Sequence, residues 1–177
     1  PVLIIALGPT GSGKGSIPSK ISTLLGGEYE FTNILIDDLV ENHENYKQEV
    51  RKILTELQEN PEAGSDPFSI NNLQNKDILE KFNKAYFQTR KNVDCNEEKS
   101  FISCDKLNDN NLTEALKDGK NIVFESTGEY FPDWLFNVYK NELKERKYEI
   151  IVSYSVVGLC ELIKRNFTRT QETIKKN

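Results

Sequence analysis

The sequence predicts an α/β fold, a three-layer αβα sandwich built on a parallel sheet. Three observations predict it. Short apolar runs alternate with longer stretches of three- and four-residue apolar periodicity along most of the 177 residues, the order that βα crossover units require. The first run, Val2–Leu7, breaks straight into a glycine-rich loop, GPTGSGKGS, with a helical pattern behind it. The length suffices for one domain with a hydrophobic core.

Taken in order, Val2–Leu7 reads as a buried strand, ended by Gly8 and Pro9. A helix is expected from near Gly13 to the Gly26-Gly27 stop, although Pro18 sits deep for its first turn. Asn33–Asp37, NILID, is the second strand. Leu39, His43, Tyr46, Val50, Ile53 and Leu57 then mark one amphipathic helix. Pro61 to Pro67 is a loop, and a weaker helical pattern follows from Ser69 to Asn92. Val93 to Asp109 is polar and carries no assignment. Leu112, Ala115 and Leu116 predict a short helix ending at Gly119. Asn121–Glu125, NIVFE, is the third strand. Pro132 to Arg146 reads as one helix, with Trp134, Leu135, Val138, Tyr139 and Leu143 inward. Tyr148–Val157 is the fourth strand and Leu159 to Lys175 the last helix.

The formal charge of −5 argues against a broad nucleic-acid-binding face, so long nucleic acid is not an expected partner. No apolar run reaches membrane-spanning length, and the N-terminus does not read as a signal peptide. Three cysteines, Cys95, Cys104 and Cys160, lack metal-ligand spacing. They are expected to be reduced packing residues, which fits a cytoplasmic setting. The chain has no methionine and starts at Pro1, so residues of a longer chain are expected to be missing from it. An intact mass equal to that of the printed sequence would contradict this.

The glycine loop carries the chemistry. Gly8, Gly13 and Lys14 complete G-x-x-x-x-G-K between a predicted strand and a predicted helix, the context that a P-loop requires. Glycines let successive backbone N–H groups turn toward phosphate oxygens, and the helix N-terminus adds partial positive charge. The expected ATP-binding residues are therefore Gly8, Pro9, Thr10, Gly11, Ser12, Gly13, Lys14, Gly15 and Ser16. Lys14 would bring a full charge to the β- and γ-phosphates. The Ser or Thr that usually follows the lysine and ligates Mg²⁺ is replaced by Gly15, which makes Ser16 the metal-ligand candidate. GSGKGS resembles the GSGKGT loop of adenylate kinases. The fold expected is thus a P-loop NTPase, and Asn75-Lys76-Asp77-Ile78 does not make a guanine-reading N-K-x-D, so it reads as solvated surface.

The second predicted strand runs into Asp37-Asp38. A carboxylate at that strand end can accept the proton of an acceptor hydroxyl in P-loop kinases of small molecules, and its neighbour can cap the following helix. Glu125 ends the third strand, where it can contact substrate or a Mg²⁺-bound water, and Ser126-Thr127 continues as a polar loop. Ligands of open α/β sheets bind beyond the C-terminal strand ends, where these groups should converge. Arg165 and Arg169, four residues apart, share one predicted helix face and could neutralise a transferring phosphoryl group. Their plainer reading is a solvated basic surface with Lys164, Lys175 and Lys176.

On these residues the chain resembles the zeta-toxin family of kinases, which carries D-x-D-x-x-R-x-x-H-P-x-Y after its second strand. Setting His43 and Tyr46 on the family's His and Tyr puts Asp37 on its catalytic aspartate. NIVFEST, Asn121–Thr127, is similar to the family's strand ending in I-E-G-T, and Lys147–Val157 followed by Arg165 and Arg169 to its fourth strand and arginine-bearing helix. The resemblance implies an ATP- and Mg²⁺-dependent kinase with Asp37, Lys14, Arg165 and Arg169 catalytic. Asp38, His43, Glu125 and Thr127 would then bind a small-molecule acceptor such as a nucleotide sugar, though Tyr46 is expected to pack. The chain departs from the family at Leu35, Val40 and Glu44, so the family's acceptor, UDP-N-acetylglucosamine, is not carried over. A toxin would also imply an antitoxin-like protein partner, which nothing in the sequence shows. Residues 1–177 are expected to be a single kinase domain, incomplete at its C-terminus. Other readings are a nucleoside monophosphate or polynucleotide 5′-kinase, a non-catalytic nucleotide-dependent switch, and a degenerate kinase.

Overall fold

The computed structural model describes residues 1–27, 29–59, 75–96, 100–127 and 133–176. Its elements are β1 (Val2–Leu7), α1 (Ile17–Leu24), β2 (Thr32–Ile34), α2 (Ile36–Asn42), α3 (Glu44–Glu59), α4 (Lys76–Asn92), α5 (Cys104–Lys117), β3 (Ile122–Ser126), α6 (Asp133–Val138), α7 (Lys140–Glu145), β4 (Glu149–Tyr154) and α8 (Leu159–Lys176). A single 3₁₀ turn, Lys14–Ser16, leads into α1. The chain divides into two compact units, Pro1–Leu35 with Asp109–Thr168 and Ile36–Asn108 with Arg169–Asn177.

The first unit is α/β. Its four strands are all parallel, in the order β2-β3-β1-β4. β1 is central and buried along its whole length, which is why its six residues form an uninterrupted apolar run. Alternate residues feed two cores. Leu3, Ile5 and Leu7 join Ile34, Ile122 and Phe124 under Leu112 and Leu116 of α5, Leu135 of α6 and Leu143 of α7. Val2, Ile4 and Ala6 join Val123 beneath Ile17 and Ile21 of α1. Helices thus cover both faces of the parallel sheet, as a three-layer arrangement requires.

The second unit is helical. Val50, Ile53, Leu54 and Leu57 of α3 pack with Ile78 and Ala85 of α4, flanked by Tyr46 and Phe82. The expected surface segment at Asn75 is only partly that. Asn75 is an N-cap whose side chain accepts from the Asp77 N–H at 2.9 Å, while Ile78 enters the core.

Several boundaries differ from the sequence reading. Pro18 falls in the first turn of α1 because the helix starts only at Ile17, after the 3₁₀ turn, so it breaks no helical hydrogen bond. β2 stops at Ile34, and Asp37 and Asp38 lie in the first turn of α2, where carboxylates favour the helix N-terminus. The single helix expected from Leu39 is two, divided at His43. That ring accepts from the Asn45 N–H through Nδ1 at 3.1 Å, capping α3. The helix expected over 132–146 is also two, divided at Tyr139. Trp134 and Val138, expected inward, are exposed, and the buried stripe is the narrower i, i+4, i+8 set Leu135, Tyr139 and Leu143. The loop expected from Pro61 to Pro67 lies outside the described residues.

The cysteine expectation is corrected for one pair. Cys95 and Cys104 form a disulfide, with Cα atoms 5.1 Å apart. Asp94 explains the approach. Its carboxylate accepts from the N–H groups of Asn96 and Ile102, and Cys95 N–H donates to Ile102 O at 2.8 Å, closing the chain on itself between α4 and α5. Cys160 is free and exposed. Among the described residues no helix is long and apolar enough to cross a membrane.

Candidate functional site

The glycine loop begins where three strand ends stay joined. Gly8 N–H donates to Ser126 O at 3.2 Å, and Ser155 N–H donates to Leu7 O at 2.8 Å. The ends of β3, β1 and β4 therefore form a common floor. Gly8 has φ of 142°, and a Cβ there would stand 2.8 Å from Ser12 Oγ and 2.9 Å from Ser155 O. Gly11, at φ 79°, lies so close to α8 that a Cβ would collide with the side-chain oxygen of Asn166. These two positions require glycine for both conformation and space.

Inside the loop, Ser12 is only 6% exposed, and its hydroxyl has no hydrogen-bond partner among the described residues. Such a group is costly to bury unless something satisfies it. The Lys14 ammonium folds back over the loop and donates to the carbonyls of Gly8 at 2.8 Å and Pro9 at 3.1 Å. Its charge is thereby held at the loop rather than spread into solvent. Ser16 Oγ donates to Gly13 O at 2.9 Å. Pro9 is half-buried and Thr10 exposed.

Arg165 approaches from α8. Its guanidinium Nη1 lies 3.8 Å from where a Gly13 Cβ would stand, and its Nε donates to Glu161 at 2.7 Å. That pairing holds the Glu161 carboxyl below the usual carboxylate range. Arg169 lies in the same helix, and its side chain falls outside the described residues.

Beside the loop, a groove of about 620 Å³ runs along α1 and the face of β2. Glu125 and Gly15 line it at the loop end, Tyr29 and Phe31 farther along. Ser22 shapes that far end: its hydroxyl donates to Gly27 O at 2.6 Å and accepts from Tyr29 N–H at 2.9 Å. Gly15 has ordinary backbone angles, and a Cβ there would meet nothing within 4 Å. The residue that departs from the usual phosphate-loop pattern thus lines the groove beside open space. Thr127 is exposed just past β3 and does not line the groove.

The second unit holds Asp37, Asp38 and His43. Tyr86 of α4 donates its phenol hydrogen to Asp37 Oδ1 at 2.5 Å, and its ring meets Tyr46 edge-on at a centroid distance of 6.2 Å. Burial, then the hydrogen bond to Asp37, pushes the Tyr86 phenol well above the ordinary tyrosine value. Burial and the charges of Glu41 and Asp37 raise Tyr46 too. Arg90 pairs with Asp105 at 2.6 Å; burial opposes its charge, but the carboxylate outweighs burial and raises its value. Asp38 is exposed. His43 has both ring nitrogens engaged: Nδ1 accepts from Asn45 N–H, so Nε2 carries the hydrogen and donates to Asp94 O at 3.1 Å. That is a helix-capping role.

Sequence reasoning missed Tyr86, Tyr29 and Phe31. Tyr86 sat in a helical pattern as one apolar position among several, and only the fold pairs it with a residue 49 positions away. Tyr29 and Phe31 flank the second strand without any motif. Comparison with protein-family models, curated proteins and solved structures returns no match.

Proposed function

We propose that the chain is a P-loop kinase with a zeta-toxin-like arrangement, moving the γ-phosphoryl group of ATP to a hydroxyl of a small-molecule acceptor. One observation carries the reading. A strand–glycine loop–helix unit holds an orphaned buried hydroxyl, Ser12 Oγ, and a lysine ammonium folded onto its carbonyls. The loop is thus a cradle of donors and positive charge suited to phosphate oxygens. Bound there, ATP supplies the transferable phosphoryl group. Ser12 and the loop N–H groups would hold its phosphates, and Lys14 would exchange two carbonyl acceptors for phosphate oxygens. Phosphate-bound Mg²⁺ needs only one or two protein ligands, and Ser16, next to the usual Ser/Thr position after the lysine, is the hydroxyl proposed for that role.

In this reading Asp37 accepts the acceptor's hydroxyl proton. It follows β2 by three residues in the chain and lies in the first turn of α2. Arg165 stabilises charge on the transferring group, and Glu125 faces the acceptor. His43, occupied at both nitrogens, supports the fold around Asp37 instead.

The test is phosphoryl transfer from labelled ATP and Mg²⁺ to a panel of hydroxyl acceptors. Labelled product that falls by at least about a hundredfold in Asp37→Asn supports the reading. Product that persists undiminished in that variant removes Asp37 from the chemistry.

A further inference from the structure

We propose that the groove between α1 and β2 is the acceptor subsite, and that it selects a neutral, hydroxyl-bearing ring compound, a nucleoside or free sugar, over its phosphorylated counterpart. The assignment of the ligand as phosphoryl acceptor rests on the kinase reading; the groove's ligand class does not.

Three features of the groove carry the inference. The first is charge. Among the described residues that line it there is no lysine or arginine, and the carboxyl group present is Glu125. Among those lining residues a phosphate-bearing ligand would meet a carboxyl group and no lysine or arginine, in a chain of net charge −5. A site built for phosphate monoesters gathers arginines or a helix N-terminus around the anion. Here those provisions belong to the adjoining loop, which leaves them to the phosphoryl donor.

The second is the lining. Tyr29 and Phe31 stand with ring centroids 6.2 Å apart and planes tilted by 35°, giving a flat-sided apolar wall. Ser19, Thr23 and Asn33 add neutral hydrogen-bonding groups. Apolar walls with a few polar groups that fix orientation suit an uncharged ring carrying hydroxyls. A carboxylate has several acceptor sites, so that of Glu125 can accept from such hydroxyls.

The third is access. Gly15 stands where the loop meets the groove, and a side chain there would point into open space. Glycine at this position therefore leaves open space beside the loop where the groove lining begins. An acceptor hydroxyl needs such space to reach a phosphoryl group beside Lys14.

The experiment is binding measured by calorimetry with matched pairs: adenosine against AMP, uridine against UMP, glucose against glucose 6-phosphate. These are run on wild type, Gly15→Leu, Asn33→Ala and Glu125→Gln, with ATP affinity and thermal unfolding as controls. The expected result is that one neutral member binds at least tenfold more tightly than its phosphate. That binding should drop at least tenfold in Gly15→Leu and in Asn33→Ala, with unfolding unchanged in both and ATP affinity unchanged in Asn33→Ala, which lies outside the loop. Transfer from labelled ATP to the same compound then identifies it as acceptor. Neutral binding without transfer leaves the groove's ligand class standing and removes the kinase reading. The proposal is overturned if no neutral member binds, if phosphates bind as well or better, or if Gly15→Leu binds normally.

Discussion

At the scale of single residues, the proposed chemistry of the loop rests on Lys14, whose ammonium is gathered at Gly8 O and Pro9 O. Lys14→Ala is expected to lower phosphoryl transfer by about 10²–10³, the range for removing a charge-stabilising donor, with little change in unfolding. Steady-state assays beside thermal melts check this. In the kinase proposal Tyr86 positions Asp37, because its phenol donates to Oδ1. Tyr86→Phe should lower kcat by about tenfold, roughly one lost hydrogen bond, with KM nearly constant, whereas a general packing defect would move both together. The same variant tests a pH effect. Tyr86 titrates higher in the folded chain than the ordinary value near 10. Its stabilisation is therefore complete below pH ~10 and is lost as pH rises toward the raised folded value. Urea unfolding from pH 8 to 11 should show an alkaline loss in wild type that is smaller in Tyr86→Phe. The glycine loop was legible in the sequence because its spacing is local. Tyr86 was not, because its partner lies across the helical unit.

At the scale of elements, the strands were legible to within a few residues, since each is a short apolar run with turn residues at its ends. The helix breaks at His43 and Tyr139 were not. Both fall inside continuous apolar periodicity, and a side-chain cap at His43 is invisible to a pattern count. The disulfide was hidden for another reason. Three cysteines gave an odd count, and pairing Cys95 with Cys104 depends on how Asp94 closes the intervening chain. Breaking the bond should cost about 2–3 kcal/mol, the chain-entropy value for so short a loop. Urea unfolding with and without reductant, and of Cys95→Ser/Cys104→Ser, measures it. In the sheet, Ile4 is fully buried on the central strand, and Ile4→Ala should cost about 2–5 kcal/mol by the same measurement.

At the scale of the whole molecule, the parallel α/β sheet follows from strand–helix alternation, but the helical second unit does not. Its helices carry ordinary amphipathic patterns that look the same whether they cover a sheet or one another. The site followed the same division. The glycine loop was readable from a motif, whereas the groove arises from residues on α1, β2 and β3 that no motif connects. The central claim is that the glycine loop binds a nucleoside triphosphate, and calorimetric titration with Mg²⁺-ATP tests it most directly. The account predicts saturable binding to wild type, weakened at least about tenfold in Lys14→Ala, the loss of one charge-assisted contact. Absence of binding to the folded protein, or equal affinity in Lys14→Ala, would contradict it.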